Sequence, residues 1–142
     1  MTEEFFFQLQ TRVFYGVGCS KNLGNFLSEK NFKNVVVLVD EGVLENSKYF
    51  EEINDTIRRN TDVMHIITLR GNEEPDYDYL DEIAKKIRDI DRLDTIIGIG
   101  GGSCLDITKA CAILKTNPGY GIEYRGFDKV KFPGVPTIAI PT

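Results

Sequence analysis

The chain has 142 residues, of which 42% are hydrophobic and 27% charged, and a formal net charge of −5. That length holds one compact core but not two comfortable domains, and evenly spaced apolar runs exclude a disordered chain. No basic run exceeds Arg58-Arg59, which argues against nucleic acid as a partner, and no apolar stretch nears the ~20 residues that cross a bilayer.

Met1 to Phe7 is acidic and then aromatic, without the basic region and cleavage site of a signal peptide. With no export signal, the cytoplasm is the expected location. Phe5 to Phe14 reads as an extended segment that Gly16-Val17-Gly18 breaks. Cys19 to Lys30 then carries Leu23, Phe26 and Leu27 at helical spacing. Asn34 to Val39 is short, β-branched and almost wholly apolar, as a strand buried on both faces of a parallel sheet would be. A helical stretch runs through Phe50, Ile53 and Ile57, and Val63 to Leu69 reads as a second strand. Pro75 opens a strong helix whose stripe is Tyr79, Ile83, Ile87 and Ile90. Thr95 to Ile99 is the third buried strand, and Ser103 to Leu114 the helix that follows. Asn117 to Gly121 ends the periodic region. A loop with Tyr124, Gly126, Phe127 and Pro133 leads to a last strand, Pro136 to Ile140. This alternation predicts an α/β domain with a parallel sheet and right-handed crossovers. The chain stops at Pro141-Thr142, directly after that strand, which reads as a truncated piece of a longer protein.

Cys19, Cys104 and Cys111 form no C-x-x-C pair and no zinc spacing, so they read as free thiols in a reducing compartment. Cys104 and Cys111 share one helix face and are expected to be packed. His65, the single histidine, reads as a strand position, and no metal centre is expected within this chain.

Chemistry concentrates in Ile96 to Lys109. A strand feeds Gly100-Gly101-Gly102 and then a helix beginning near Ser103. Glycines let backbone approach a ligand and adopt positive φ, while the helix start offers free N–H groups and the positive end of its dipole. The segment therefore predicts a pyrophosphate cradle, with Ser103 as N-cap and possible phosphate ligand. Asp40 closes the first strand. It either accepts hydrogen bonds from a ribose hydroxyl, favouring NAD over NADP, or begins a turn through Glu41 and Gly42; spacing does not decide between these. Asp106 either hydrogen-bonds a cofactor, orients the glycine loop or pairs with Lys109 on the same helix face. The pattern departs from the usual Rossmann fingerprint. Ser103 replaces its third glycine, the loop follows the third strand, and the acidic residue precedes it by about sixty positions.

Val39-Asp40, Gly100-Gly101-Gly102-Ser103-x-x-Asp106-x-x-Lys109 and Pro136-Thr137-Ile138-Ala139-Ile140-Pro141-Thr142, with the early Gly16-x-Gly18, resemble the iron-containing (group III) alcohol dehydrogenases of the dehydroquinate-synthase-like superfamily. The resemblance implies a Rossmann-like, NAD(P)-binding N-terminal domain over 1–142, followed in the family by an all-helical domain absent from this chain. It implies pyrophosphate contacts from Gly100, Gly101, Gly102 and Ser103, and NAD preference through Asp40. Thr142 would begin a second cofactor-binding stretch, and a divalent metal, iron by family, would be held in the absent half. The family commonly has Asn-Pro-Thr where this chain has Glu74-Pro75-Asp76, and proline at Cys104. Expected partners are a small alcohol or aldehyde and, for the full-length protein, a second copy in a homodimer. Thr116-Asn117-Pro118-Gly119, with Tyr124-x-Gly126-x-Asp128-x-Val130-Lys131-x-Pro133-Gly134-Val135, resembles the branch that oxidises the terminal alcohol of 3-deoxy-octulosonate sugars; such a loop can equally buttress a domain interface. A polyol-phosphate dehydrogenase, a dehydroquinate-synthase-like enzyme and a non-catalytic nucleotide-binding module remain alternatives.

Overall fold

In the computed structural model, which describes residues 6, 8, 10–46, 48–71 and 74–142, four parallel strands form one sheet in the order β2-β1-β3-β4. The strands are β1 (Asn34–Asp40), β2 (Val63–Leu69), β3 (Thr95–Gly100) and β4 (Thr137–Pro141). β1 and β3 lie in the middle, and Val35 to Val39 and Ile96 to Ile99 are buried on both faces. That is why their sequences are near-continuous Val and Ile and do not alternate. The edge strands β2 and β4 are partly exposed, and His65 occupies an ordinary ladder position opposite Val36.

Helices α1 (Leu23–Glu29), α2 (Glu41–Asn46) and α3 (Lys48–Asn60) precede and follow β1, α4 (Tyr77–Arg88) joins β2 to β3, and α5 (Gly102–Thr116) follows β3. Leu23, Leu27, Phe50 and Ile57 pack on Val35, Val37, Val39, Ile97 and Ile99. Ile83, Ala84, Ile87, Ile107, Cys111 and Leu114 pack on Val36, Leu38 and Ile96 on the opposite face. The step from β1 to β2 and the steps from β2 to β3 to β4 run in opposite directions along the sheet, with their helices on opposite faces. All three crossovers therefore share one hand. Each fully buried Ile, Leu or Val contributes about 1.5–3 kcal/mol, so these two apolar layers dominate the stability of the domain.

Side chains align the elements. Asp94 Oδ2 accepts the N–H groups of Lys33 and Asn34 at 2.8 and 2.7 Å, setting β3 beside β1. Arg88, at the end of α4, donates to the carbonyls of Leu114, Asn117 and Gly119 at 2.7–3.0 Å. In return Lys115, near the end of α5, donates to the carbonyls of Ile87, Arg88 and Ile90. Each helix thus carries the cation that satisfies its neighbour's last carbonyls.

The strands fall where the β-branched runs predict them, with β1 and β3 each reaching one residue further and β4 shifted one residue along the chain. Several expectations are refined. The stretch from Cys19 begins as a 3-10 turn, Cys19–Asn22, before α1. Pro75 precedes α4 without opening it: Asp76 is the N-cap, its carboxylate accepting Tyr79 N–H at 2.8 Å, and Ile90 packs beyond the helix end. α2 follows Asp40 directly, so Glu41 and Gly42 begin a helix and not the turn their residue types allow. Of the extended N-terminal segment, Phe5, Phe7 and Leu9 lie outside the described residues. Its described part joins no strand of the sheet, and Arg12 pairs with Glu29 at 3.1 Å. Among the described residues no helix is long and apolar enough to cross a membrane.

Candidate functional site

Because β1 leads to β2 on one side while β3 lies on the other, the gap between the carboxyl ends of β1 and β3 is the topological switch point of the sheet. Ligands of open α/β sheets bind in that crevice. Asp40 ends β1 and Gly100 ends β3, so two of the predicted site residues flank it. The Asp40 carboxylate reaches across, Oδ2 accepting Gly101 N–H at 2.9 Å. A Cβ on Gly100 would lie 2.4 Å from that same oxygen and 2.8 Å from Cys104 Cβ. Glycine at 100 is therefore what admits the carboxylate.

The N-cap of α5 is Gly101, extended at φ −76° and ψ −175°, and Gly102 is the first helical residue. This corrects the placement of Ser103 as N-cap: Ser103 lies inside the first turn, with an exposed side chain. It also corrects the conformational role expected of the glycines. Positive φ occurs at Gly16, Gly18, Gly119 and Gly126, not in the loop 100–102. What these three glycines supply is bare backbone. A Cβ on Gly102 would meet nothing within 4 Å, and one on Gly101 only Asp40 Oδ2 at 3.8 Å. Of the four N–H groups that a helix start leaves without helical carbonyls, that of Gly101 is taken by Asp40. Those of Gly102, Ser103 and Cys104 have no helical carbonyl as partner and lie at the positive end of the dipole, Gly102 and Ser103 exposed there and Cys104 buried.

β4 closes the site on its other side, Thr142 N–H donating to Gly100 O at 3.2 Å. Asp106 stands one turn into α5, where it pairs with Lys109 at 2.8 Å; both side chains are largely exposed. That pairing, one of its three expected roles, is worth about 0.2–0.5 kcal/mol. Asp106 also lines a shallow groove with Pro75, Tyr77, Leu80, Ile107 and Ala110, which brings the Glu74-Pro75-Asp76 loop to the same end of the sheet.

Beneath the loop, burial and then the Asp40 charge push the Cys104 thiol up to about 11, and its Sγ lies 3.5 Å from Ile99 O. Burial pushes Cys111 up to about 12. Both are protonated packing residues and weak nucleophiles. Among the described residues no group of three or more His, Cys, Asp or Glu could hold a metal ion.

Two positioning features escaped the sequence reading. A Cβ on Gly98 would lie 2.3 Å from Thr108 Oγ1, so Gly98 sets the closeness of α5 to the sheet. A lone glycine inside a strand pattern was the available signal. Asn117, 2% exposed, donates to the carbonyls of Ile113 and Phe132 and accepts from the N–H groups of Lys131 and Phe132, at 2.9–3.1 Å. Nothing local in the sequence signals that staple.

A doubly wound parallel sheet with a glycine loop and a strand-end carboxylate at its switch point defines the class: an open α/β domain of Rossmann-like fold whose ligand crevice is the switch point. The profile of the family described as "Iron-containing alcohol dehydrogenase" matches residues 10–142, and the chain belongs to that family. It is 32% identical over 134 residues to alcohol dehydrogenase 4 of Schizosaccharomyces pombe, covering 90% of this chain and 30% of that protein. The structure of NADH-dependent butanol dehydrogenase A from Thermotoga maritima superposes with a TM-score of 0.81 at 19% identity, over 99% of this chain and 35% of that one. Sulfoacetaldehyde reductase from Bifidobacterium kashiwanohense, in complex with NAD+, gives 0.72 at 20% identity, over 89% and 32%. The chain thus spans about a third of the length of these relatives.

Proposed function

We propose that this chain is the cofactor-binding part of an NAD-dependent oxidoreductase that moves hydride between NAD and a primary alcohol or its aldehyde, a sugar alcohol being one candidate. The observation that carries the reading is the juxtaposition at the switch point: Asp40 on one lip, and on the other the uncovered backbone of Gly101, Gly102 and Ser103 at the start of α5. A dinucleotide pyrophosphate fits there, because a Cβ-free surface and outward N–H groups are what close approach of an anion requires. Gly100 shapes the loop, while Gly101, Gly102 and Ser103 hold the pyrophosphate. The Asp40 oxygen not committed to Gly101 accepts from the adenosine ribose and repels a 2′-phosphate, so NAD is preferred to NADP. Thr142 leads from β4 over the loop. Asp106 and the 74–76 loop bound the groove beside it, where a polar part of the cofactor would lie.

When bound, NAD supplies the hydride acceptor; these residues bind and orient it. The family and the NAD(H)-linked fold neighbours support that cofactor. No group of three or more His, Cys, Asp or Glu among the described residues fits an iron ion, so its ligands are assigned to the part of a longer protein that this chain does not span; the alcohol substrate and the homodimer are assigned to that longer protein as a whole.

Calorimetric titration of the chain with NAD and NADP tests the reading. The expected result is binding of NAD above NADP, and loss of both in Gly102→Val with an unchanged thermal midpoint. Undiminished NAD binding by a folded Gly102→Val protein would overturn it.

A further inference from the structure

We infer that Asp40 is a positioning residue for the phosphate cradle, acting through the backbone of Gly101 in addition to any contact with the nucleotide. The inference rests on the nucleotide reading of the site and goes beyond it, since that reading requires of Asp40 only ribose selection.

The N-cap position of α5 has no side chain, so Gly101 cannot satisfy the helix start from within its own segment. Asp40 does so from the neighbouring strand. Its Oδ2 accepts the N–H of the N-cap itself, the task that the acidic residue of a capping box performs from within the helix. Gly100 is bare where the carboxylate lies, and the neighbouring ladder contact of Thr142 holds Gly100 O. The loop is thus fixed from both adjacent strands, and the three donors of Gly102, Ser103 and Cys104 keep their direction without a ligand. Preorganised donors bind an anion more tightly than donors that must first be ordered.

The arrangement makes a prediction opposite in sign to simple electrostatics. A carboxylate beside an anion site repels the anion, so its removal should tighten phosphate binding if charge were its whole effect. If Asp40 holds the loop, removing the acceptor frees the loop and weakens binding in spite of the relieved repulsion. Asn at 40 separates the two effects, because its amide oxygen accepts from Gly101 N–H while carrying no charge.

The experiment uses the full chain, uniformly 15N-labelled, as wild type, Asp40→Ala and Asp40→Asn. Two quantities are read by NMR: exchange of the Gly101 amide without ligand, and affinity for inorganic pyrophosphate, a probe with no ribose. Asp40→Ala is expected to lose Gly101 protection and to bind pyrophosphate at least about threefold more weakly than wild type, the loss of a charge-assisted hydrogen bond outweighing the gain in potential. Asp40→Asn is expected to keep the protection and bind more tightly than wild type. Unchanged Gly101 exchange in Asp40→Ala, or equal tightening in both variants, would overturn the positioning role and leave the nucleotide reading standing. A wild-type chain with a protected Gly101 that binds neither pyrophosphate nor NAD would overturn the nucleotide reading, and the cradle role with it.

Discussion

Thr108 of α5 rests on the bare α-carbon of Gly98 in β3, so closely that a Cβ there would lie 2.3 Å from Thr108 Oγ1 and 3.0 Å from Thr108 Cβ. The hydroxyl itself is occupied, donating to Cys104 O at 2.8 Å one turn earlier in α5. This contact lies two residues before the glycine loop and fixes the height of α5 above the sheet. The position of the helix start depends on it.

Gly98→Ala is therefore expected to destabilise the fold by about 1–3 kcal/mol, the usual cost of overpacking a close-packed interior. Combining it with Thr108→Ala should recover part of the loss, because the nearest clashing atom is removed. Urea unfolding of the two single variants and the double variant measures the coupling. Additive effects would place the strain elsewhere.

Much of this architecture could be read from local pattern. Val35 to Val39 and Ile96 to Ile99 are buried on both faces and are accordingly almost all β-branched, and the stripe Tyr79, Ile83, Ile87 matches the face of α4 that meets the core. The glycine loop was legible as bare backbone before a helix. What local pattern could not reveal were pairings between distant segments. Asp40 and Gly101 are 61 positions apart, and Arg88 and Gly119 are 31 apart. The misplaced N-cap has the same origin. Ser103 is the residue type that caps from its own side chain, but an acceptor arriving from β1 lets glycine occupy the cap.

The buried thiols make stability fall at alkaline pH. Against a value of 9.0 for an unperturbed thiol, Cys104 is raised to about 11 and Cys111 to about 12. Between those values the folded chain holds protons that the unfolded chain has released, so unfolding becomes easier as pH rises. The stabilisation is complete below pH 9 and is lost progressively as pH passes the folded values. Urea midpoints between pH 8 and pH 10.5 should decline, and the decline should be shallower in Cys111→Ala. Parallel declines would refute the assignment to burial. A thiol reagent at neutral pH should label Cys19, the partly exposed cysteine, well before the other two.

Asn117 ties residues 131–132 back to the end of α5 through both ends of its amide. Asn117→Leu strands the backbone groups of Lys131 and Phe132 without their partner. The expected cost is about 1–3 kcal/mol for leaving such groups unsatisfied. Limited proteolysis should then cut within 118–134 at a rate well above that of the wild type, while α1 and α3 on the opposite face stay intact. An unchanged cleavage rate would mean that the loop is held by its other contacts, such as Val135 N–H to Ala112 O.

Gly100 and Gly102 are two positions apart and should respond oppositely to the same added methyl group. At Gly100 the new Cβ meets the Asp40 carboxylate at 2.4 Å and Cys104 Cβ at 2.8 Å, so Gly100→Ala must push the carboxylate off Gly101 N–H. At Gly102 the Cβ meets nothing within 4 Å and the backbone is already helical, so Gly102→Ala should raise stability by about 0.4–1 kcal/mol through the lower entropy of the unfolded chain. Nucleotide affinity should fall in both variants, for different reasons: a displaced loop at 100, and a filled approach surface at 102. Thermal unfolding alongside NAD titration separates the two. A stabilised Gly102→Ala with weakened NAD binding would mark position 102 as a residue kept for the ligand at the expense of the fold. If its NAD binding is undiminished, the phosphate lies elsewhere along the loop.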